Sequence, residues 1–297
     1  MNASMISSAV SMQALQKRID IIANNVANLN TTGYKRQEAA FADVLTSVRQ
    51  QHEEYLLQGR KTPLGLTEDW GAMLTRMRLD MSQGSLVETG EALDLALQGQ
   101  ALFEISDVLR DEAGNVVLDD DGNPVLVRQW TRAGSFRLTP QPGDEENLYL
   151  TTQHGHIVRG INDEPISIPR GDRISIDLNG NIYAYHDTDP TAAPIPIGQL
   201  KIVRVIRPQM LVPVGENRFR INDAVDNVNE VVEVVDLNVR GPETESIQVL
   251  QGFLEQSNVD LTQEMTDLIM TQRAMQFNAR ALASADTMME LTNRLRG

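Results

Sequence analysis

The sequence predicts an α+β protein in which long N- and C-terminal helices form a coiled-coil-like core domain and the middle of the chain forms a separate, mostly-β domain. Two observations carry this prediction. Apolar residues at both ends follow a helical heptad spacing, and the middle alternates short apolar runs with turn-forming residues. A chain of 297 residues, 41% of them apolar, is large enough to bury such a core.

The N-terminal helix is predicted from Ala3 to about Leu29. Its apolar residues are spaced by three and four positions in alternation, and no proline or glycine interrupts them. A run of turn formers ending in Gly33 stops the helix. The seam consists of Met12, Leu15, Ile19, Ile22, Val26 and Leu29, with Met5 one heptad earlier.

The C-terminal helix is predicted from about Asp260 to Arg296, with Asp260 as the N-cap. Each terminal helix could pack on its own domain, but both are long and terminal, which favours packing on each other and between subunits. The C-terminal seam consists of Leu261, Met265, Leu268, Met275, Leu282 and Met289, with Gln272, Ala279 and Asp286 at the intervening positions.

The middle of the chain reads as an all-β domain with hairpins, because turn signals recur about every ten residues. Residues 46 to about 91 have no clean period and are predicted to be extended chain with short strands that lies along a neighbouring subunit. The predicted strand runs are 101–105, 130–138, 166–168, 174–178, 198–205 and 231–235, and the predicted turns are 120–123, 140–143 and 179–181.

Composition excludes several classes of function. The chain has no cysteine, which excludes disulfides, thiolate catalysis and cysteine-bound metal. The net charge of −15 disfavours nucleic acid and anionic membrane surfaces. No basic residue precedes Lys17, so a secretory signal peptide is not expected, and no apolar stretch is long enough for a membrane span.

Motifs for catalysis and for cofactor binding are missing from the sequence: it has no G-x-S-x-G, P-loop or G-x-G-x-x-G after a strand. His154 and His156 could share a metal ion, but a solvated hairpin edge is the simpler interpretation without an adjacent third ligand. The acidic loops at 119–123 and 177–181 lack the glycine and glutamate positions of an EF-type calcium loop and are predicted to be β-turns.

Several segments closely resemble the signatures of the bacterial flagellar basal-body rod and hook proteins, and they bracket nearly the whole chain. The N-terminal signature is long and highly specific. The matching segments are IIANNVANLNTTGYK at 21–35, QGSL at 83–86, ETG at 88–90, LDLAL at 93–97, TRAGSF at 131–136, GFLEQSNVDL at 252–261 and QRA at 272–274.

The resemblance implies a non-enzymatic structural protein of the flagellar basal body that has no cofactor and polymerises with copies of itself into a hollow helical tube. Paired terminal helices would line the inner core, and the β domain would form the outer wall. Other implied partners are neighbouring rod and hook proteins, surrounding ring or bushing proteins and the flagellar type III export apparatus. Nucleic acid and small-molecule substrates are not implied.

Besides the two seams, the resemblance implies three sets of assembly residues. They are Asn24, Asn25, Asn28, Thr31, Gly33, Tyr34 and Lys35 in the N-terminal motif; Gly84, Thr89, Gly90, Leu93 and Asp94 in the central motif; and Ser257, Asn258, Val259, Gln272 and Arg273 in the C-terminal motif.

Within the family, KRQEAAFADVL at 35–45 and the extra stretch at 46–70 most resemble the distal rod branch, in which that stretch wedges between subunits and stiffens the tube. The predicted function is therefore a distal rod subunit of the drive shaft between motor and hook. A proximal rod or hook subunit, or a non-polymerising adaptor or cap, are the alternatives. The chain departs from the family in having Phe103 as the one aromatic residue after Gly99 and Met275 where tyrosine is usual.

The predicted domains are 1–45 for the N-terminal helix and motif, 46–90 for the extended linker, 91–245 for the β-rich outer domain and 246–297 for the C-terminal helix. We expect both ends to be largely disordered in the free subunit and to fold on assembly, because each helix alone would expose its apolar seam.

Overall fold

The computed structural model describes residues 2–43, 46–50, 65–69, 72–108, 126–141, 144–186, 193–221, 227–239, 241 and 246–295. The chain divides into two units. The helical unit consists of Met1–Ala27, Gln37–Arg78 and Asp260–Gly297, and the β unit consists of Asn28–Arg36 and Leu79–Val259. The α+β class is therefore confirmed, while the domain limits taken from the sequence stay a prediction.

The helical unit contains both long helices. Helix α1 spans Asn2–Ala27 and helix α2 spans Leu261–Arg294, within two residues of the predicted ends. Asp260 caps α2 as predicted, because its carboxylate accepts the backbone N–H groups of Thr262 at 2.8 Å and Gln263 at 3.3 Å. Two pairs of strands accompany the helices: β1 (Gln37–Asp43) pairs with β4 (Ala72–Leu79), and β2 (Thr46–Gln50) pairs with β3 (Gly65–Asp69).

The two helices pack antiparallel, and polar residues mark the contact. Asn25 near the end of α1 donates to Glu264 in the first turn of α2 at 3.3 Å, and Arg18 lies 4.0 Å from Asp267. Ala14 and Ile21 are buried on the same face of α1 as Arg18 and Asn25. The residues of this face are spaced by four, three and four positions.

The contact stripe of α1 lies one residue away from the predicted seam, at positions 14, 18, 21 and 25 rather than 15, 19, 22 and 26. Ile22 is buried, but Met12, Leu15 and Ile19 are only half-buried. Besides Ile21, this stripe consists of a small alanine and the polar side chains of Arg18 and Asn25, which apolar periodicity alone does not detect. Because polar side chains share this contact with apolar ones, a coiled-coil core in the usual sense stays a prediction.

The same shift affects half of the α2 seam. Leu268, Met275, Leu282 and Met289 are half-buried as predicted. At every second position of the seam, the covered residue lies one position before the predicted one. Glu264 and Thr271 are buried there, whereas Met265 and Gln272 are exposed.

The β unit contains seventeen strands in the described residues, most of them short. The predicted β-rich middle is confirmed, but the runs at 130–138 and 198–205 each prove to be two strands. The strands are β5 (Leu86–Glu88), β6 (Leu95–Gln98), β7 (Ala101–Val108), β8 (Leu126–Thr131), β9 (Phe136–Gln141), β10 (Asp144–Thr152), β11 (Ile157–Val158), β12 (Ser167–Pro169), β13 (Asp172–Ile176), β14 (Asn181–His186), β15 (Ile195–Gln199), β16 (Ile202–Val205), β17 (Leu211–Gly215), β18 (Arg218–Ile221), β19 (Val232–Val235), β20 (Gln248–Gln251) and β21 (Phe253–Glu255).

The largest sheet of the β unit follows the order β12-β10-β11-β7-β8-β18-β17, with β16, β19 and β9 paired alongside. Strands β13, β14 and β15 form a three-stranded antiparallel sheet. The β13–β14 turn is the predicted one: Asp177 accepts the backbone N–H groups of Asn179 and Asn181 through one carboxylate oxygen. The other acidic loop, at 119–123, lies outside the described residues.

The core of the β unit is mainly aliphatic, as the low aromatic content predicts. Leu97, Ile105 and Val158 are fully buried in its larger cluster, where Phe103 and Phe136 meet edge to face with ring centroids 5.2 Å apart. Neither α1 nor α2, over their described residues, is long and apolar enough to cross a membrane.

Candidate functional site

The β unit brings the separate sequence motifs together at one place. Strand β21 of the C-terminal motif pairs antiparallel with β5 of the central motif, and β20 pairs antiparallel with β6. The N-terminal motif loop joins them, because the Gly33 N–H donates to the Glu255 carbonyl at 2.8 Å. Segments that lie more than 200 residues apart in sequence thus share backbone hydrogen bonds.

Three buried charged side chains form the centre of this place, which we call the ionic junction: Lys35, Arg132 and Glu255. One Glu255 carboxylate oxygen accepts the Lys35 ammonium at 2.8 Å, and the other accepts Nε of Arg132 at 2.6 Å. Each of the three side chains is 1% exposed. The backbone N–H of Gly84 donates to the same carboxylate at 2.9 Å.

The remaining donors of the ionic junction are also satisfied. Lys35 donates to the Ser82 carbonyl at 2.7 Å. The Arg132 guanidinium donates to the carbonyls of Leu97, at 2.6 Å, and Ala101. A buried charge is tolerated only when its polar atoms are paired, and these partners supply that condition.

Two cations share one carboxylate in the ionic junction, and burial destabilises the charged form of both. Burial lowers the pKa of the Lys35 ammonium, and the neighbouring Arg132 guanidinium lowers it further, while Glu255 raises it. Burial also lowers the pKa of Arg132, again opposed by Glu255. Glu255 is therefore the group on which both buried cations depend.

Asn258, a predicted site residue, forms hydrogen bonds with the backbone next to the ionic junction. Its side-chain oxygen accepts the Arg36 N–H at 2.7 Å. Its amide donates to the carbonyls of Asp80 at 3.0 Å and Ser82 at 3.1 Å. One asparagine thus links the segment after the N-terminal motif to the segment before the central motif.

Two motif glycines are required by close backbone approach at the junction. Gly33 has φ +69°, and a Cβ there would lie 2.5 Å from the backbone nitrogen of Ala133. A Cβ on Gly84 would lie 2.0 Å from the carbonyl oxygen of Gln256. Any side chain at either position would push apart segments that the ionic junction holds together.

In the helical unit, Asn25 plays a similar linking role. It is 1% exposed, and its side chain clamps the backbone of Gln37, accepting the N–H and donating to the carbonyl, both at 3.0 Å. The same amide nitrogen contacts Glu264, so that Asn25 joins α1, β1 and α2.

The structure places the other predicted site residues in three environments. Tyr34 and Val259 are buried, and Leu93 packs against the larger core cluster. The half-buried residues are Val26, Asn28, Leu29, Thr31, Asp94 and Ser257, and the exposed residues are Asn24, Thr89, Gly90, Leu261, Met265, Gln272 and Arg273.

Arg132 and Glu255 were not among the predicted site residues, although both lie inside matching motifs. The available signal was a charged residue beside small and apolar ones, since Arg132 precedes Ala133 and Glu255 follows Leu254. That signal does not reveal the partner of each charge, because the partners lie 123 and 220 residues away.

The two histidines of the pair contact carboxylates. No group of three or more histidine, aspartate or glutamate side chains in the described residues could hold a metal ion. His154 and His156 instead contact Glu216, and His156 also contacts Asp107.

Comparisons with known proteins agree with the motifs. Residues 7–35 match the family model described as flagella basal body rod protein, and residues 250–295 match the one described as flagellar basal body rod FlgEFG protein C-terminal. The chain is 33% identical to the flagellar hook-basal body complex protein FlhP of Bacillus subtilis, over 99% of both chains. It is 32% identical to the flagellar basal-body rod protein FlgG of Agrobacterium fabrum, over 96% of both chains.

The chain belongs to the flagellar basal-body rod protein family. It is accordingly a structural, non-enzymatic protein of the flagellar basal body. The two segments that match the family models include Lys35 and Glu255, so the ionic junction connects the two ends of the chain that define the family.

Proposed function

We propose that the chain is a distal rod subunit that polymerises through α1 and α2 into a hollow helical drive shaft between motor and hook. Full-length similarity to rod proteins supports a rod subunit. The distal position is supported by the resemblance of residues 35–45 and 46–70 to the distal rod branch. Of the second segment, residues 51–64 and 70 lie outside the described residues, and the flanking parts pair as β2 and β3.

The observation that carries self-assembly is a second apolar stripe on α2, which we call the outward stripe. Its members are 53–67% exposed, and at 3.6 residues per turn they fall on the side of the helix away from Glu264 and Asp267, which contact α1. Arg273 and Arg280 interrupt this side of the helix, but large apolar residues that recur there while exposed favour a binding face. The outward stripe consists of Ile269, Met270, Phe277, Met288 and Leu291.

Helix α1 offers a complementary surface in the half-buried seam of Met12, Leu15 and Ile19, beside the stripe that contacts α2. A second copy of the chain could cover both surfaces at once if each α1 seam packed on the outward stripe of a neighbour. Such head-to-tail contacts, which do not close on themselves, generate helical polymers.

The ionic junction would serve the polymer mechanically. Lys35 lies two residues before β1, and Glu255 lies five residues before Asp260, where the chain enters the helical unit at each end. The ionic junction therefore holds two segments within the β unit. One leads into β1, and the other leads into α2. We propose that the ionic junction transmits load between the helices and the β unit in the assembled rod.

The neighbours in this proposal are copies of the chain and adjoining rod and hook proteins. Ring or bushing proteins around the shaft and the flagellar type III export apparatus are proposed partners on the family resemblance. The lack of cysteine is compatible with export of an unfolded chain, because no disulfide has to form first.

Electron microscopy of purified basal bodies from cells with and without this chain tests the proposal. We expect basal bodies without it to keep a short proximal rod and to lack the distal rod. Loss of the whole rod would favour the proximal alternative, and an intact rod without a hook would favour a hook subunit. A normal rod and hook would overturn the proposal, and re-expression of the chain should restore the distal rod.

A further inference from the structure

Two arginines lie on the side of α2 that faces away from α1. Arg273 and Arg280 are both exposed, and their spacing of seven positions places them about two turns apart on nearly the same side of the helix. This is the side of the outward stripe, opposite to Glu264 and Asp267. Neither arginine forms an ion pair with another described residue of the chain. In a chain with a net charge of −15, this pair is a distinct basic site.

The two arginines flank a cavity on the surface of α2. Its volume is about 300 Å³, and it is lined by Arg273, Gln276, Phe277 and Arg280, which all belong to this helix. Two guanidinium groups and one amide thus surround the cavity, and the Phe277 ring gives it an apolar wall. Guanidinium groups bind carboxylates through charge-assisted hydrogen bonds from a planar fork of donors. The cavity therefore fits a carboxylate that is carried on an otherwise apolar surface.

Helix α1 carries one carboxylate, that of Asp20. Asp20 is exposed, and it does not belong to the stripe of Ala14, Ile21 and Asn25 that contacts α2 of the same chain. Gln16, one turn earlier, donates to one oxygen of Asp20 at 3.1 Å. This bond orients the carboxylate, and a carboxylate with one such bond can still accept others. Asp20 is thus presented to a partner outside its own helix pair.

Asp20 lies at the border of the α1 seam that the proposed polymer contact uses. Met12, Leu15 and Ile19 form this half-buried seam, and Asp20 lies about 100° around the helix from Ile19. Charged side chains at the border of a packed seam reach across to the facing helix, as they do in coiled coils. Arginine covers the offset, because its apolar stem can lie along the contact while its charged head reaches the border.

We propose that the cavity between Arg273 and Arg280 is a carboxylate-binding site for Asp20 of a second copy of the chain. The α1 seam of one subunit lies on the outward stripe of the next, and Asp20 enters between the two guanidinium groups. This inference rests on the proposed function, because it names the residue that the outward stripe receives. An apolar contact alone leaves the position of one helix along another poorly fixed, whereas a carboxylate between two cations defines it.

The other charged residues of α1 make this placement selective. Lys17 and Arg18 are cations, so the two arginines of the cavity repel them. Arg18 is also close to a carboxylate of its own chain, since it lies 4.0 Å from Asp267. A neighbour shifted along the helix so that Lys17 meets the cavity is therefore disfavoured, while a neighbour with Asp20 at the cavity is favoured.

Charge exchange in the full-length chain, expressed in place of the wild type, tests the contact. Asp20→Arg brings three cations together and should lower the yield of basal bodies with a complete rod about tenfold. Arg273→Asp with Arg280→Asp should cause a loss of similar size, because it surrounds Asp20 with carboxylates. All three changes together restore opposite charges and should restore most of the yield. Unchanged yield in both reversals, or no restoration in the combination, would overturn the proposal.

Glu164→Arg is the matched control for these reversals. It makes the same change of charge as Asp20→Arg, at an exposed position between β11 and β12 of the β unit. It should leave the yield unchanged, and it should not restore the yield when combined with Arg273→Asp and Arg280→Asp. Restoration by Glu164→Arg would show that total charge rather than the Asp20 contact matters, and would contradict the proposal.

Cross-linking covers the case in which a reversal variant fails to fold. The chain has no cysteine, so Asp20→Cys in one copy and Gln276→Cys in a differently tagged copy introduce one thiol each. In basal bodies that contain both copies, a short bismaleimide should join them into a mixed dimer. Asp20→Cys with Glu290→Cys, about four turns further along α2, is the control that should give none. Absence of the mixed dimer, or an equal yield in the control, would overturn the proposal.

Failure of this contact and failure of the rod function give different results. A normal rod that tolerates the charge reversals and yields no cross-link would refute the Asp20 site and leave the rod function intact. If electron microscopy instead assigns the chain to another part of the axial structure, restoration by charge exchange would still show that copies of the chain meet through Asp20 and the two arginines.

Discussion

At the scale of single residues, the ionic junction is asymmetric. Glu255 bonds both Lys35 and Arg132, whereas each cation bonds only the one carboxylate and otherwise backbone carbonyls. Removing the shared anion leaves two buried cations without a counter-charge. Removing one cation leaves a complete pair, and in the case of Lys35 it also removes a group whose pKa burial has already lowered.

Glu255→Gln should therefore lower the free energy of unfolding by about 3–5 kcal/mol, the cost of leaving buried charge uncompensated. Lys35→Met should cost much less, because Glu255 keeps Arg132 and Gly84, and the Ser82 carbonyl keeps its bond from Asn258. Urea unfolding followed by circular dichroism measures both variants. Equal losses of stability would show that Glu255 is not the shared centre of the junction.

At the scale of secondary-structure elements, the helical unit depends on polar contacts between its parts. Asn25 clamps the backbone of β1 and also contacts α2. Arg18 lies 4.0 Å from Asp267 across the same face, on which Ala14 is also buried. Other large apolar residues, among them those of the outward stripe, lie outside this face, which suits the proposed binding of neighbouring subunits.

Asn25→Leu should impair rod assembly more than solubility, because leucine leaves the Gln37 N–H and carbonyl without their side-chain partner, at about 1–3 kcal/mol for each buried group. Motility in soft agar and the yield of basal bodies measure assembly, and soluble expression measures folding. Gln13→Leu is the control at an exposed position of the same helix. Unchanged motility in Asn25→Leu, or equal defects in both variants, would count against the role of Asn25.

At the scale of the whole molecule, the β unit and the helical unit differ in how much apolar surface they bury within one chain. Over its described residues, the β unit has two buried hydrophobic clusters. Helix α2 has two buried side chains in its described part, Glu264 and Thr271, and exposes the outward stripe. A helix with so little buried apolar surface gains most of its stability from further packing.

We therefore expect the two ends to be largely unprotected in the free subunit and to become ordered on assembly. In a verified monomer, amides of residues 5–29 and 261–290 should exchange far faster than those of the core strands β7 and β16. In assembled rods, the same residues should become protected. Strong protection of both helices in the monomer would show that they fold without neighbours.

Sequence alone determined the class of the protein and the limits of its helices. Heptad spacing, the Asp260 cap and the turn formers before Gly33 are local signals, because helix formation depends on residues three and four positions apart. The alternating strands of the middle and the β-turn at 177–181 are local in the same sense. The motif segments are contiguous as well, so their resemblance to rod proteins could be detected without coordinates.

Tertiary structure decided which side chains meet. The partners of Glu255 lie 123 and 220 residues away, and no local pattern specifies a contact over such a distance. It also decided which of two stripes one residue apart faces the other helix, since Ala14, Arg18 and Asn25 share the α1–α2 contact with Ile21. The spacing of apolar residues indicates that a helix has an apolar face. Only the packed chain shows which partner covers that face and which surface stays available for the proposed contact with another subunit.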